Sequence, residues 1–372
     1  MPHEKWMKEA LKMAEKGWGN TNPNPLVGAV ITKEDQLISK GYHEYAGGPH
    51  AEINALKKAG DASVGSTMYV TLEPCSHYGK TPPCAEAIIK AGVKKVIIAA
   101  GDPNEKVAGK GEAMLRKAGI DVITGVLEQE ARKQNEIFMH YITEKKPYLI
   151  AKAAMSLDGK IATKQGHSQW ITGEKARNHA HWVRQRVSAI LVGVNTVIAD
   201  NPQLTVRLPL DKVNQPLRVV LDSKGNIPLT STLVLTAKEI KTMVATTDQM
   251  PVDIEKKLLL EGVEVVRFPH KQGQVDIQSL IDYFASKEVD SVLVEGGSSV
   301  MASFISEKMI NKLLWYIAPK IIGGSQAPGP IGGDGILHMK EALPITEMET
   351  IRLGEDWLMT GYMKGAEKCL PE

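Results

Sequence analysis

Apolar positions recur along this chain with two periods, and the switches between them mark its elements. Within 3–16, Trp6, Met7, Ala10, Leu11 and Ala14 fall at helical spacing, and Gly17 closes the run. The prolines of "TNPNP" (21–25) exclude a helix there. "LVGAVIT" (26–32) and "QLISKGYH" (36–43), joined at Glu34-Asp35, predict a hairpin. A helix over 49–59 stopped by Gly60, a strand over 66–72, a helix over 83–92 and a strand over 94–100 follow. Next come a helix near 109–118, a strand near 120–124 and a helix over 126–143. "TEKKPY" (143–148) reads as a boundary, where a helix ends in lysines and a proline opens a strand.

Beyond it the alternation resumes. Strands are predicted at 148–155, 188–193, 217–222, 232–236, 242–246, 263–267, 290–295 and 312–318. Helices are predicted at 173–187, 253–260, 276–286 and 299–307, and the last forty residues read as an edge hairpin. Both halves are therefore α/β. A length of 372 residues also points to two domains.

Composition narrows the function only coarsely. A net charge of +2 and 5% aromatic residues disfavour nucleic acid as the main partner. The N-terminus lacks an apolar signal core, and no apolar run reaches the roughly 18 residues of a membrane span. Three cysteines do not make a disulfide framework, so a reducing cytoplasm is the expected setting. A homo-oligomer is the expected assembly.

The chemistry concentrates in "GPHAE" (48–52) and "TLEPCSHYGKTPPCAEAI" (71–88). A catalytic zinc takes three nitrogen or sulfur ligands and keeps one position open, and His50, Cys75 and Cys84 supply such a set. Cys84 follows Pro82-Pro83 and His50 follows Pro49, each at a predicted helix start, where the helix dipole favours a thiolate. Glu52 fits the proton shuttle of H-x-E … P-C-x-x-C deaminases. Here eight residues, not two, separate the cysteines. Residues at i and i+2 do not share a helix face, so His50 and Glu52 converge only if the metal sits at the helix's first turn. A structural zinc would need a fourth ligand, for which His77 and His43 are the candidates. Cys369 reads as a bystander.

"NPLVGAV", "HAE" and "TLEPCSHYGKTPPC" resemble the deaminase half of the bifunctional riboflavin-biosynthesis deaminase-reductases, and the long spacing between the cysteines is similar to that family's own. The resemblance covers nearly the whole chain. It implies a cytidine-deaminase-like three-layer α/β/α domain over 1–145 and a dihydrofolate-reductase-like α/β domain over 147–366. It also implies zinc-hydroxide attack on the amino-bearing ring carbon of a diaminopyrimidinone carrying ribose 5-phosphate, with Glu52 moving the protons. Asn24, His43, Lys80 and Thr81 stand where the family's substrate-binding residues stand.

The second half lacks the G-x-G-x-x-G fingerprint of a dinucleotide-binding domain. It does carry "VLVEGGSSVMASFI" (292–305), a strand, a glycine pair and a helix start. Arg177, His181 and Arg184 share one face of the 173–187 helix, which composition alone would leave as a solvated basic face. "KAAMSLDGKIA", "SQWITG", "LVGVNTVIADNPQLTVR" and "LDSKG" resemble the reductase domain of the same family. That implies NADPH as cofactor and hydride transfer to the ribose C1′. Cofactor contacts then map to Ala154, Trp170, Thr196, Asp200, Ser223, Gly297, Ser298, Ser299, Val300, Met301, Ala302 and Ser303. Substrate contacts map to Ser168, Arg184, Leu204, Arg207 and Glu295. Arg184 and Arg207 suit the substrate phosphate as forked cationic donors. Lys152 and Asp200 are the candidates for polar work at the reacting ribose. Two competing readings are a nucleic-acid base deaminase with a C-terminal binding module, and a zinc-stabilised scaffold without catalysis.

Overall fold

The computed structural model describes residues 2–76, 78, 82–104, 108–210 and 213–365. The chain divides after Lys145 into two compact units.

The first unit runs α1 (Pro2–Ala14), β1 (Gly28–Lys33), β2 (Gln36–Tyr42), α2 (Ala51–Ala59), β3 (Thr67–Leu72), α3 (Cys84–Lys90), β4 (Lys95–Ala100), α4 (Lys110–Lys117), β5 (Asp121–Ile123), α5 (Glu128–Gln134) and α6 (Glu136–Glu144). Its sheet has the order β2-β1-β3-β4-β5, with β1 antiparallel to both neighbours and β3, β4 and β5 parallel. Glu34 and Asp35 both have positive φ (52° and 59°), the backbone of a tight hairpin turn.

Two glycines make the layering explicit. A Cβ on Gly28 would lie 2.0 Å from the Ala10 carbonyl oxygen of α1, and one on Gly41 would lie 2.4 Å from the backbone of Ala51 and Ala55 in α2. Gly41 pairs with Ala29, the neighbour of Gly28, so the two glycines face opposite sides of the sheet. Helices α1 and α2 thus press their backbones onto opposite faces, giving the expected three layers.

The helix expected over 126–143 breaks at Asn135. The Asn135 side chain accepts from the Leu26 amide (2.8 Å) and donates to the Leu26 carbonyl (2.9 Å), as a paired strand residue would. This tertiary pairing interrupts a sequence whose apolar period runs on.

Glu73 of "LEPC" is a buried helix anchor. Its carboxylate accepts from the amides of Gly109 (2.9 Å), Gly111 (2.9 Å) and Glu112 (3.2 Å), satisfying the N-terminus of α4. Glu73→Ala is expected to cost the N-terminal unit about 2 kcal/mol, read as a shifted denaturation midpoint. An unchanged midpoint would dismiss the anchor.

The second unit runs β6 (Tyr148–Ser156), α7 (Glu174–Arg186), β7 (Ala189–Gly193), α8 (Val194–Asp200), β8 (Leu217–Leu221), α9 (Thr232–Leu235), β9 (Thr242–Thr246), α10 (Val252–Leu260), β10 (Glu264–Arg267), β11 (His270–Lys271), β12 (Gln274–Val275), α11 (Ile277–Ser286), β13 (Ser291–Gly296), α12 (Ser298–Ser306), β14 (Lys312–Ala318), β15 (Ile345–Leu353) and β16 (Asp356–Met363). Its main sheet has the order β10-β9-β8-β7-β13-β6-β14-β16-β15. The strands from β10 to β14 are parallel, and β15–β16 closes one edge as the expected antiparallel hairpin. Val219, Val292 and Val294 pack with Leu280, Phe284, Met301 and Phe304 of α11 and α12 on one face. The alternate residues, Arg218, Lys152 and Glu295 among them, point to the other face.

One strand expectation is overturned. Residues 232–235 form the short helix α9, because the carbonyls of Leu233, Thr236 and Ile240 turn in to the buried guanidinium of Arg218. Local β propensity yields to that tertiary demand. Helix α8 was not foreseen, since its seven residues are too few to show a period. Among the described residues no helix is long and apolar enough to cross a membrane.

Candidate active sites

His50 is the residue before α2, in extended conformation (φ −69°, ψ 162°), and Glu52 lies one residue inside the helix. The i, i+2 difficulty disappears, because His50 projects from outside the helical repeat. Cys75 follows β3, and Cys84 is the first residue of α3. The Cys84 amide donates to Cys75 Sγ (3.3 Å), a helix N-terminus turned on a sulfur.

Donor atoms of His50, Cys75 and Cys84 lie within 4.8 Å of one another. His50 Nδ1 is 3.2 Å from Cys84 Sγ and 3.6 Å from Cys75 Sγ. Bond lengths to a tetrahedral zinc imply a nitrogen–sulfur edge of about 3.6 Å, so the set fits the ion. The hydrogen bond from Cys84, with His50 beside it, holds Cys75 at about 4, while bonding to Cys75 and burial push Cys84 up. Such a cluster is built around positive charge.

Glu52 is 3% exposed, and burial raises its pKa against the opposing pull of His50. His43 is not turned to the ligand set. Its Nδ1 bonds the Pro49 carbonyl (3.0 Å), and its Nε2 lies 3.3 Å from Asn24 Nδ2. With Nδ1–H donating, Nε2 accepts from Asn24, which leaves the Asn24 amide oxygen for another partner. Lys80, Thr81 and His77 lie outside the described residues.

In the second unit Glu295 is the centre. Arg184 grips it with two bonds, Nε to Oε1 (2.6 Å) and Nη2 to Oε2 (2.7 Å), and donates through Nη1 to the Thr205 carbonyl (3.0 Å). Lys152 Nζ stands 3.9 Å from Glu295 Oε2. Burial would raise Glu295, yet Arg184 and Lys152 outweigh it and hold the carboxyl at about 2. Burial lowers Lys152, and Glu295 opposes that shift. Arg184 is therefore spent on Glu295 and Thr205. Of the two arginines assigned to the phosphate, Arg207 is the exposed one, with Nη1 bonded only to Gln203 Oε1 and Thr205 Oγ1 among the described contacts.

The basic face of α7 is not solvated. Arg177 stacks 4.8 Å over Trp170, and buried His181 accepts the Arg207 amide (3.3 Å). Burial, with Arg184 and Arg207 nearby, lowers His181 to about 4, so it is the neutral acceptor. Tyr316, whose hydroxyl lies 2.8 Å from His179 Nδ1, stands under Lys152 and was missed. A tyrosine on a strand carries no signal that separates it from core.

The glycine turn fits a dinucleotide. Gly297 has φ +80°, α12 begins without a side-chain cap, and a Cβ on Gly296 would sit 3.3 Å from Thr196 Oγ1. Thr196 lies in the first turn of α8, and Ser168 Oγ donates to Asp200 at its end (3.1 Å). Ser223 is largely engaged by the β11–β12 hairpin, donating to Gln274 Oε1 (3.3 Å) and accepting from Val275 N (3.1 Å). Leu204 is buried with φ 52°. Ala154 lies on β6, and Ser298, Ser299, Val300, Met301, Ala302 and Ser303 form the first turns of α12.

Fold and sites together define a zinc-dependent base deaminase joined to an NADPH-dependent reductase. The comparisons agree with each half. Residues 1–100 match the cytidine and deoxycytidylate deaminase zinc-binding region, and residues 147–359 match the RibD C-terminal domain. Riboflavin biosynthesis protein RibD of Actinobacillus pleuropneumoniae is 47% identical over 95% of this chain and 93% of its own length. The structure of Acinetobacter baumannii RibD superposes with a TM-score of 0.85 at 38% identity, covering 98% of this chain and 99% of that one. A diaminohydroxyphosphoribosylaminopyrimidine deaminase/5-amino-6-(5-phosphoribosylamino)uracil reductase from Thermotoga maritima gives 0.82 at 36%, covering 97% and 99%. The chain belongs to the RibD family of bifunctional riboflavin-biosynthesis enzymes.

Proposed function

We infer that residues 1–145 deaminate a diaminopyrimidinone carrying ribose 5-phosphate and that residues 147–366 then reduce its ribosyl side chain to ribityl. The observation that carries this reading is the His50, Cys75, Cys84 triangle with buried Glu52 one helical residue inside it.

His50, Cys75 and Cys84 would hold zinc, which when bound supplies the Lewis acidity that makes water nucleophilic at neutral pH. Glu52 takes the proton of the attacking water on its carboxylate and returns it to the departing amino nitrogen, so that ammonia leaves and a carbonyl remains. Asn24, held by His43, turns its amide oxygen to the ring, and Lys80 and Thr81 complete the substrate contacts.

NADPH, when bound by the Gly297 turn with Ala154, Trp170, Thr196, Asp200 and Ser223, supplies the hydride for C1′. Lys152 carries the proton that the opening sugar oxygen needs, and Glu295 orients it with Arg184. Arg207 takes the phosphate, while Ser168, Asp200 and Leu204 shape the substrate end. Cys75 and Cys84 must stay reduced to serve as thiolate ligands, which supports a reducing cytoplasm. Self-association is supported by the edge strand β15, which leaves Met348 and Ile351 open to solvent.

The test combines a metal assay with stepwise turnover. The purified chain should hold one zinc, and chelation should stop ammonia release while NADPH oxidation on already deaminated substrate continues. NADPH oxidation at the same rate on undeaminated substrate would overturn the order of the two steps.

A further inference from the structure

Arg218 is a fully buried cation whose hydrogen-bond partners, among the described residues, are all neutral oxygens. Its Nε and Nη2 donate to Thr242 Oγ1 (3.0 and 2.6 Å). Nη2 also serves the carbonyls of Leu233 (3.2 Å), Thr236 (3.2 Å) and Ile240 (2.9 Å). Nη1 donates to Thr236 Oγ1 (2.8 Å) and to the Gln203 carbonyl (3.3 Å). Burial lowers its pKa only to about 10, so it stays charged at neutral pH.

A buried charge is costly, and tying off a helix of four residues does not by itself require one. The Gln203 bond reaches further. Gln203 lies in the turn after α8, and that turn is fastened to α9 a second time, where the Thr232 amide donates to Asn201 Oδ1 (2.7 Å). The backbone holds positive φ at the first fastening, Asn201 (41°), and again at Leu204 (52°), one residue past the second. Asparagine takes that conformation readily, and Asn201 does so as the C-cap of α8, whereas leucine adopts it only when its surroundings impose it. Asp200 precedes the turn. Thr205, which receives Arg184, and Arg207, whose amide meets His181, follow it.

We propose that Arg218, with Asn201, is a positioning residue of the reductase. From the buried face of β8 it sets the 200–207 turn so that Asp200 and Arg207 present to the phosphorylated substrate. The proposal rests on the assignment of Arg207 to that substrate. A lysine at 218 keeps the charge and loses the fork, so it cannot serve Gln203 and α9 together. Glycine at 201 keeps the left-handed backbone and removes only the bond to Thr232.

The experiment compares Arg218→Lys, Asn201→Gly and Arg207→Ala in the full chain, with reductase KM and kcat measured on deaminated substrate at saturating NADPH. Arg218→Lys and Asn201→Gly are each expected to raise KM about tenfold with kcat changed less than about threefold. Arg207→Ala added to Arg218→Lys should raise KM by less than about twofold more, because both act on one contact. A fall in kcat at unchanged KM, following the loss of folded protein, would reduce Arg218 to a stability element and overturn the proposal. If Arg218→Lys does not fold, Asn201→Gly decides alone, since it leaves the buried cluster intact. A KM unmoved by Arg207→Ala would instead sink the underlying substrate assignment, and the proposal with it.

Discussion

Replacing Glu52 by Gln is expected to slow ammonia release about a thousandfold, within the range that a positioned acid–base group contributes. The same variant should keep its zinc, because Glu52 is not among the three donors that converge on the ion site. It should also keep NADPH oxidation on deaminated substrate. Glutamine preserves the size of a side chain only 3% exposed, so loss of fold is not the expected cause of the defect. Metal content, ammonia release and NADPH oxidation measured on one preparation separate the possibilities. Loss of zinc together with activity would make Glu52 a holding group rather than a proton carrier.

The second large effect belongs to Glu295. Its replacement by Ala leaves Arg184 and Lys152 as buried, unopposed cations, a change that typically costs about 3–5 kcal/mol. The C-terminal unit should lose that stability and its reductase activity, while ammonia release persists. Acid gives a gentler form of the same experiment. A carboxyl held at about 2, against an ordinary 4.5, contributes its full stability above the ordinary value and loses it as the pH falls toward 2. Denaturant midpoints taken stepwise through that window should decline in the native chain. They should decline less in Glu295→Gln, which cannot titrate. Equal declines in both would place the acid sensitivity elsewhere.

What could be read before the structure follows from sequence distance. His50 and Glu52 are two residues apart and Cys75 and Cys84 nine, each pair announced by prolines at a helix start, so local rules suffice for them. The Arg184–Glu295 pair spans 111 residues, and no local rule foretells that this guanidinium is taken. The phosphate role proposed for the two arginines accordingly narrows to Arg207. The layered α/β order was legible from period alone. The break at Asn135 and the helix at 232–235 were not, because side chains remote in sequence impose both. His181 and Arg177 looked like a wet face for the same reason, since what covers them is not on their own helix.

Gly41 touches no proposed ligand, yet it governs the active site by height. Because it carries no side chain, α2 can rest its backbone directly on β2. His50 and Glu52 ride at the start of α2, whereas Cys75 and Cys84 are carried by β3 and α3. The empty space at position 41 therefore acts as a spacer of zero thickness between two halves of one coordination sphere. A single methyl group there would lift His50 and Glu52 away from the sulfurs, detuning the proposed chemistry without altering any residue assigned to it.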